Sequence, residues 1–289
     1  MPHWRVLQVI FKLAIEVGFT IVIVAFICEY VDSTLGMGYG TILTPVLLML
    51  GYTPLQVVPA VLLSELITGM LAAFGHHKIG NVNLKPRTTE MGQIIGKLRA
   101  LGYINTFKQE IPLHLKTAIV LAVCSIAGTL LAVFLAVSIP PFWLKLYIGI
   151  LVLAIGVVIL CTLKRKYIFS WKKIIALGTI ASFNKGMSGG GYGPVVTGGQ
   201  ILSGVETKSA IGITSLAEGC TCLVGVISYS ILTKSVLDWE LAPYLLIGAV
   251  LSVPLSIFTV KRIKTEILST IIGIIITLLG ITTLIKIFI

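Results

Sequence analysis

The sequence predicts an all-α polytopic membrane protein made of two inverted-topology repeats, each with a Gly-rich interrupted helical hairpin followed by three spanning helices. Three observations predict it. Several uncharged apolar runs have spanning length, a glycine-tyrosine-glycine cluster occurs twice in one register, and basic residues gather in alternate loops.

Of the 289 residues, 56% are hydrophobic and 11% charged, with a mean hydropathy of +1.03. No charge occurs in residues 117–144, 146–163, 241–260 or 267–285, each near or above the roughly 20 residues that a spanning helix needs. The 22 basic and 11 acidic side chains are too few to cover a soluble protein containing this much apolar helix. The opening MPHWRVLQVIFKLAIEVGFTIVIVAFICEYV lacks a small-residue cleavage site at the usual place, so it is expected to be retained. The net charge of +11 sits in short loops with no aromatic-interleaved basic stripe. It reads as a topology signal, and no nucleic-acid partner is expected.

The helices fall, in order, at about 9–31, 55–75, 113–137 and 142–163, with a break and a short element at 41–50 after the first. The second half places them at about 171–184, 207–229, 241–260 and 266–287, with a break and a short element at 194–203. Sliding the chain by 153 residues superposes Gly36, Gly38, Tyr39, Gly40, Thr44, Gly51 and Glu65 on Gly189, Gly191, Tyr192, Gly193, Thr197, Gly204 and Glu218. Low complexity can match glycines by chance, but tyrosine, threonine and glutamate matches in the same register indicate an internal repeat. The domain boundaries are therefore 1–163 and 164–289, the first repeat carrying a polar 76–112 segment.

Loop charge orients the helices. Residues 76–112 carry Lys78, Lys85, Arg87, Lys97, Arg99 and Lys108 against Glu90 and Glu110, and 164–173 carries Lys164, Arg165, Lys166, Lys172 and Lys173. Both segments are expected on the cytoplasmic side. The uncharged 138–141 turn and the slightly acidic 230–240 loop fit the outside, while Lys261, Arg262 and Lys264 return the chain inward. Each half then has three clear crossings, an odd number, so the halves are inverted and the two interrupted hairpins enter from opposite faces. In this scheme the N-terminus lies outside, although the first helix is long enough to span. Within 76–112, Ile94, Leu98 and Leu101 share one side of a possible amphipathic helix over 90–104.

Inverted repeats with interrupted elements are the pattern of secondary transporters, whose site lies near the midplane where the halves meet; a channel of the same architecture is the alternative. Non-helical backbone at membrane depth must be buried in protein or line a cavity. Glycine allows a ligand close to the main chain, and the free N–H groups starting the next helix can hold an anion. The candidate substrate-binding residues are therefore Gly38, Tyr39, Gly40, Thr44, Lys185, Gly191, Tyr192, Gly193 and Thr197, with Pro194 in the first turn of the second short element. Thr44 and Thr197 either reach the ligand or bond back to a helix carbonyl; Tyr39 and Tyr192 either meet substrate or pack beneath the glycine crossing.

Charge near the breaks gives the candidate coupling residues Asp32, Glu65 and Glu218. An ionised group at the bilayer centre costs about 2.5–3.5 kcal/mol even on a mild scale, so such residues face one another, a cavity or a ligand. Asp32 and Lys185 occupy equivalent positions in the breaks; Lys185 either pairs with Asp32 or Glu29 or attracts an anion into a cavity. Glu65 and Glu218 lie about 16 Å along their helices, where they can carry protons, bind a cation or brace the breaks through hydrogen bonds. His76 and His77 are read as interfacial residues at a helix end, and Ser64, Asn184 and Ser188 as helix-packing residues. Cys28, Cys124, Cys161, Cys220 and Cys222 lie in or beside apolar runs, and neither a metal site, a cofactor nor a disulfide framework is expected.

At GMGYGTILTPVLLMLGY, ELITG, GGGYGPVVTGGQILSG and SLAEG the sequence resembles the TauE/SafE family of sulfite and sulfonate exporters, and the likeness extends over almost the whole chain. The resemblance implies a permease of the cytoplasmic (inner) membrane, not an enzyme, that moves sulfite or an organosulfonate such as sulfoacetate outward. The expected partners are that small inorganic or organosulfur anion, the lipid bilayer and a second copy in a homodimer.

Overall fold

The first helix, α1 (Pro2–Leu35), runs on through Asp32 because nothing interrupts it before Gly36 and Gly38, whose φ angles are 70° and 132°. Those left-handed values are open to glycine and strained for other residues, so the helix stops there. The short α2 (Tyr39–Met49) follows. Then α3 (Pro54–Ile79) begins with a capping box between Thr53 and Gln56 and a proline in its first turn, and ends at Gly80. The chain continues as α4 (Leu113–Ser138), α5 (Pro141–Thr162) and α6 (Trp171–Ser188). A second break carries Gly189 and Gly191 at φ 72° and 81°, before α7 (Tyr192–Leu202), α8 (Thr207–Thr233), α9 (Ala242–Thr259) and α10 (Thr265–Phe288).

This computed structural model describes residues 2–86, 95–96, 99, 110–162, 171–202, 205–233, 237–260 and 265–289, and no strand occurs among them. Among the described residues six helices are long and apolar enough to cross a membrane: Glu16–Leu35 of α1, α3, α4, Pro141–Cys161 of α5, α8 and α9. Tyr39–Met49 and Gly273–Phe288 are shorter apolar helices. The chain is thus a multi-pass, all-helical membrane protein. The residues expected to form an amphipathic helix over 90–104 lie mostly outside the described residues, as do Lys164, Arg165, Lys166, Lys261, Arg262 and Lys264.

Helix packing is reciprocal across the chain. Glycines let backbones approach, the usual device where lipid supplies no hydrophobic drive for association. Gly248 of α9 lies against Val22, Ala25 and Phe26 of α1, and Gly128 of α4 lies against Thr179, Ser182 and Phe183 of α6. Gly18 also lies on Tyr244 and Gly178 on Leu121, so in each pair the residue numbers rise together, and α1 runs parallel to α9 and α6 parallel to α4. The α5–α10 seam is antiparallel, with Gly149 on Leu284, Gly156 on Thr277, Gly273 on Leu160 and Gly280 on Leu153. At the centre α3 and α8 are also antiparallel, with Leu62 on Gly225, Gly69 on Ser215 and Met70 on Gly219.

Hydrogen bonds repeat the 153-residue offset. His76 donates from Nε2 to the Ser33 carbonyl at 3.1 Å, and Tyr229, at the equivalent position, donates to the Gly186 carbonyl at 2.8 Å. His76, at the end of α3, is thus held inside the protein and not on its surface. Its Nδ1 accepts from Asn81 at 2.9 Å and the ring is fully buried, with both nitrogens satisfied in a neutral form.

Candidate substrate and coupling site

The two glycine breaks lie directly on each other. A methyl group at Gly40 would collide with the Gly189 carbonyl, and one at Gly193 with the Gly36 carbonyl, the same contact repeated 153 residues on. Glycine is required at these positions because the opposite break fills the space, whereas the sequence pattern pointed to a ligand approaching there. Gly193→Ala is expected to destabilise the protein by about 1–3 kcal/mol through overpacking against main chain that cannot move aside. Thermal unfolding in detergent checks this, with Gly198→Ala, which meets no atom within 4 Å, as the control.

Hydroxyls lock the crossing. Thr197 donates to the Gly36 carbonyl at 2.8 Å and shares a hydrogen bond with Thr214, while Thr41, a residue not picked out from the sequence, accepts from the Gly191 N–H at 3.0 Å. Thr197 thus neither bonds back to its own helix nor stands free for a ligand. Thr44, its equivalent, has a buried hydroxyl with no partner among the described residues, at the side of Gly189. Tyr39 is fully buried and donates to Ser64 at 2.8 Å; Tyr192 is equally buried, with its hydroxyl beside Thr221 and Ser125.

The start of α2 is already occupied by a carboxyl group of the chain itself. Its Tyr39 N–H donates to Asp32 Oδ1 at 3.2 Å, a carboxylate at a helix N-terminus, where the dipole favours negative charge. Asp32 and Lys185 each sit in the last turn of a helix and not in the break proper, because both helices continue to the first positive-φ glycine.

Lys185 is only 1% exposed and is clasped by two carboxylates. Its Nζ donates to Glu218 Oε1 at 2.7 Å and forms an ion pair with Glu65 Oε2. The antiparallel α3–α8 packing sets this up by bringing two residues 153 apart in sequence to the same depth. The sequence leaves open a pair with Asp32 or Glu29 or a lysine facing a cavity. Asp32 instead lies in electrostatic range of both Lys185 and Glu218, and Glu29 is buried one turn away, accepting from Ser33 at 2.6 Å. Glu65 Oε1 and Glu29 Oε2 have no hydrogen-bond partner among the described residues. The Cys222 thiol lies 4.0 Å from Glu65 Oε2. Glu29 and Cys222 were not chosen from the sequence as site residues, although acidic residues spaced i, i+3 within an apolar helix were a visible signal at Glu29 and Asp32.

The chain matches the Sulfite exporter TauE/SafE family over residues 21–98 and 98–283. It belongs to that family. Among TauE/SafE relatives it is 26% identical to the probable membrane transporter protein YtnM of Bacillus subtilis (strain 168) over 276 residues, covering 91% of this chain and 81% of that protein. No solved structure matches. The family match runs through both glycine breaks, Lys185, Glu65 and Glu218, so the crossing and the ion cluster belong to the part of the chain shared with these membrane transporters.

Proposed function

We propose that this TauE/SafE member is a secondary transporter that moves a small sulfur oxyanion or organosulfonate out across the cytoplasmic membrane, in company with a proton. In this reading the chain divides into inverted repeats, 1–163 and 164–289, and the substrate is handled where their breaks cross. Support comes from the reciprocal contacts at an offset of 153 and from the antiparallel α3–α8 and α5–α10 pairs. Such symmetry lets one packing arrangement serve both faces of the membrane around a fixed central site, as in many transporters.

The observation that carries the coupling is Lys185 held by Glu65 and Glu218 from opposite halves. While both carboxylates are charged they outweigh the Lys185 ammonium, and the cluster as a whole repels an anion. A proton on Glu65 or Glu218 releases one arm of the clasp, and an oxyanion can then take the freed side of the ammonium as a charge-assisted acceptor. Anion and proton therefore bind together and leave together. The Thr44 hydroxyl, without a partner among the described residues, is a donor beside the crossing that an oxyanion can use. Export from a loaded cytoplasm follows the substrate's own outward gradient, and the charge moved is smaller than for the anion alone.

Purified protein in liposomes tests this with a panel of sulfite, sulfate, thiosulfate, taurine and sulfoacetate. The expected result is accumulation of one or two of these against their gradient when the external medium is made acidic. Flux of the whole panel with no uphill phase under any pH gradient would identify a channel. No flux of any member would remove the sulfur-anion assignment.

A further inference from the structure

Away from the glycine crossing, a cavity of about 360 Å³ opens where the end of α2, the start of α5 and the end of α10 meet. Leu48, Met49, Phe142 and Ile287 form its apolar wall, and Lys145, Lys286 and Thr283 supply its polar atoms. Every one of those polar side chains can donate a hydrogen bond, and two carry positive charge. Thr283 borders the cavity and is 3% exposed, and its buried Oγ1 has no partner among the described residues. Lys145 likewise makes no ion pair or hydrogen bond among the described residues, while Lys286 donates to the Met49 carbonyl at the C-terminal end of α2.

The setting narrows the ligand. Phe142, Trp143, Trp239 and Phe288 are all exposed at this end of the bundle, as aromatic side chains are at the boundary between lipid tails and water. Lysines placed at that depth reach the headgroup layer. We propose that this cavity is a binding site for a tetrahedral oxyanion at the membrane surface, with Lys145 and Lys286 as its donors. The phosphate of an anionic phospholipid, its glycerol on the apolar wall, is one source of that chemistry, and a free phosphate or sulfate ion is the other. Because Lys286 also holds the last carbonyl of α2, a bound oxyanion would brace the short helix whose other end begins at the glycine crossing. The proposal does not depend on which anion the protein transports.

Native mass spectrometry and thermal unfolding of the full-length, detergent-purified protein test it, with phosphatidylglycerol, phosphatidylcholine, inorganic phosphate or sulfate added in turn. The expected result is retention of phosphatidylglycerol over phosphatidylcholine, with an affinity about fivefold lower in Lys145→Gln and again in Lys286→Gln, the scale of one basic side chain acting at a charged surface. Protection by inorganic phosphate or sulfate, lost in the same variants, would assign the site to a free ion. Lys145→Gln leaves the Lys286 contact to α2 in place, so it reports on binding even where Lys286→Gln unfolds. Equal retention and protection in the wild type and Lys145→Gln, or none in either, would overturn the proposal.

Discussion

Replacing Lys185 with methionine is expected to destabilise the protein by about 3–5 kcal/mol, the scale for breaking a buried ion pair by removing one partner. The substitution keeps the volume of the side chain and removes its charge. Glu65 and Glu218 would then face each other and Asp32 in a buried site with no cation between them. Unfolding of the detergent-purified protein at neutral pH measures the loss. Two further results would follow from the same cause. Acid should restore part of the stability, because protonation removes the stranded charge. Adding Glu65→Gln and Glu218→Gln to Lys185→Met should also restore it, since neutral amides leave nothing uncompensated. A methionine variant as stable as the wild type at neutral pH would mean that the cluster holds no net charge requiring the lysine, and the coupling scheme would lose its basis.

The fold was legible to a large degree because a membrane limits what a sequence can do. Uncharged runs bounded by lysines, glycines and prolines placed each helix close to its observed position, since backbone polar groups in lipid are satisfied only by helices or by burial in protein. The ends at the breaks were less legible. Asp32 and Lys185 looked like loop residues from their nearness to glycine, but helical hydrogen bonding persists until a residue with positive φ stops it, which moved both into the last turns of α1 and α6.

What the sequence concealed was the pairing of helices distant along the chain. Nothing in the periodicity of α1 says that it packs against α9, because all-apolar helices in lipid carry little facial pattern, and the deciding contacts are made by small residues such as Gly248 and Ala25. The partners of Lys185 were hidden for the same reason. Glu65 and Glu218 were recognised as equivalent residues, yet only the antiparallel approach of α3 and α8 brings both to one ammonium. His76 was opaque in the same way: its place next to His77 and Lys78 marks a helix end, and only the packing of α1 on α3 gives it the Ser33 carbonyl as a buried partner.

Glu65→Gln and Glu218→Gln are each expected to reduce pH-driven accumulation of substrate by about a hundredfold, the low end of what a positioned proton-transfer group contributes, while substrate exchange without a pH gradient persists. The two carboxylates hold Lys185 from opposite sides, so an amide at one position leaves the other ion pair intact and the crossing folded. The amide cannot accept the proton whose uptake releases the lysine, but it permanently weakens that arm of the clasp. The anion then has access to Lys185 at any pH, and its movement no longer carries a proton. Counterflow in liposomes should therefore become independent of pH in both variants, where the wild type is faster in acid. Bracing alone predicts a different pattern, because glutamine retains an oxygen acceptor for Lys185 and would leave driven accumulation near the wild-type level. Driven transport surviving in both single variants would end the proton-relay reading while leaving the glycine crossing and its substrate assignment untouched.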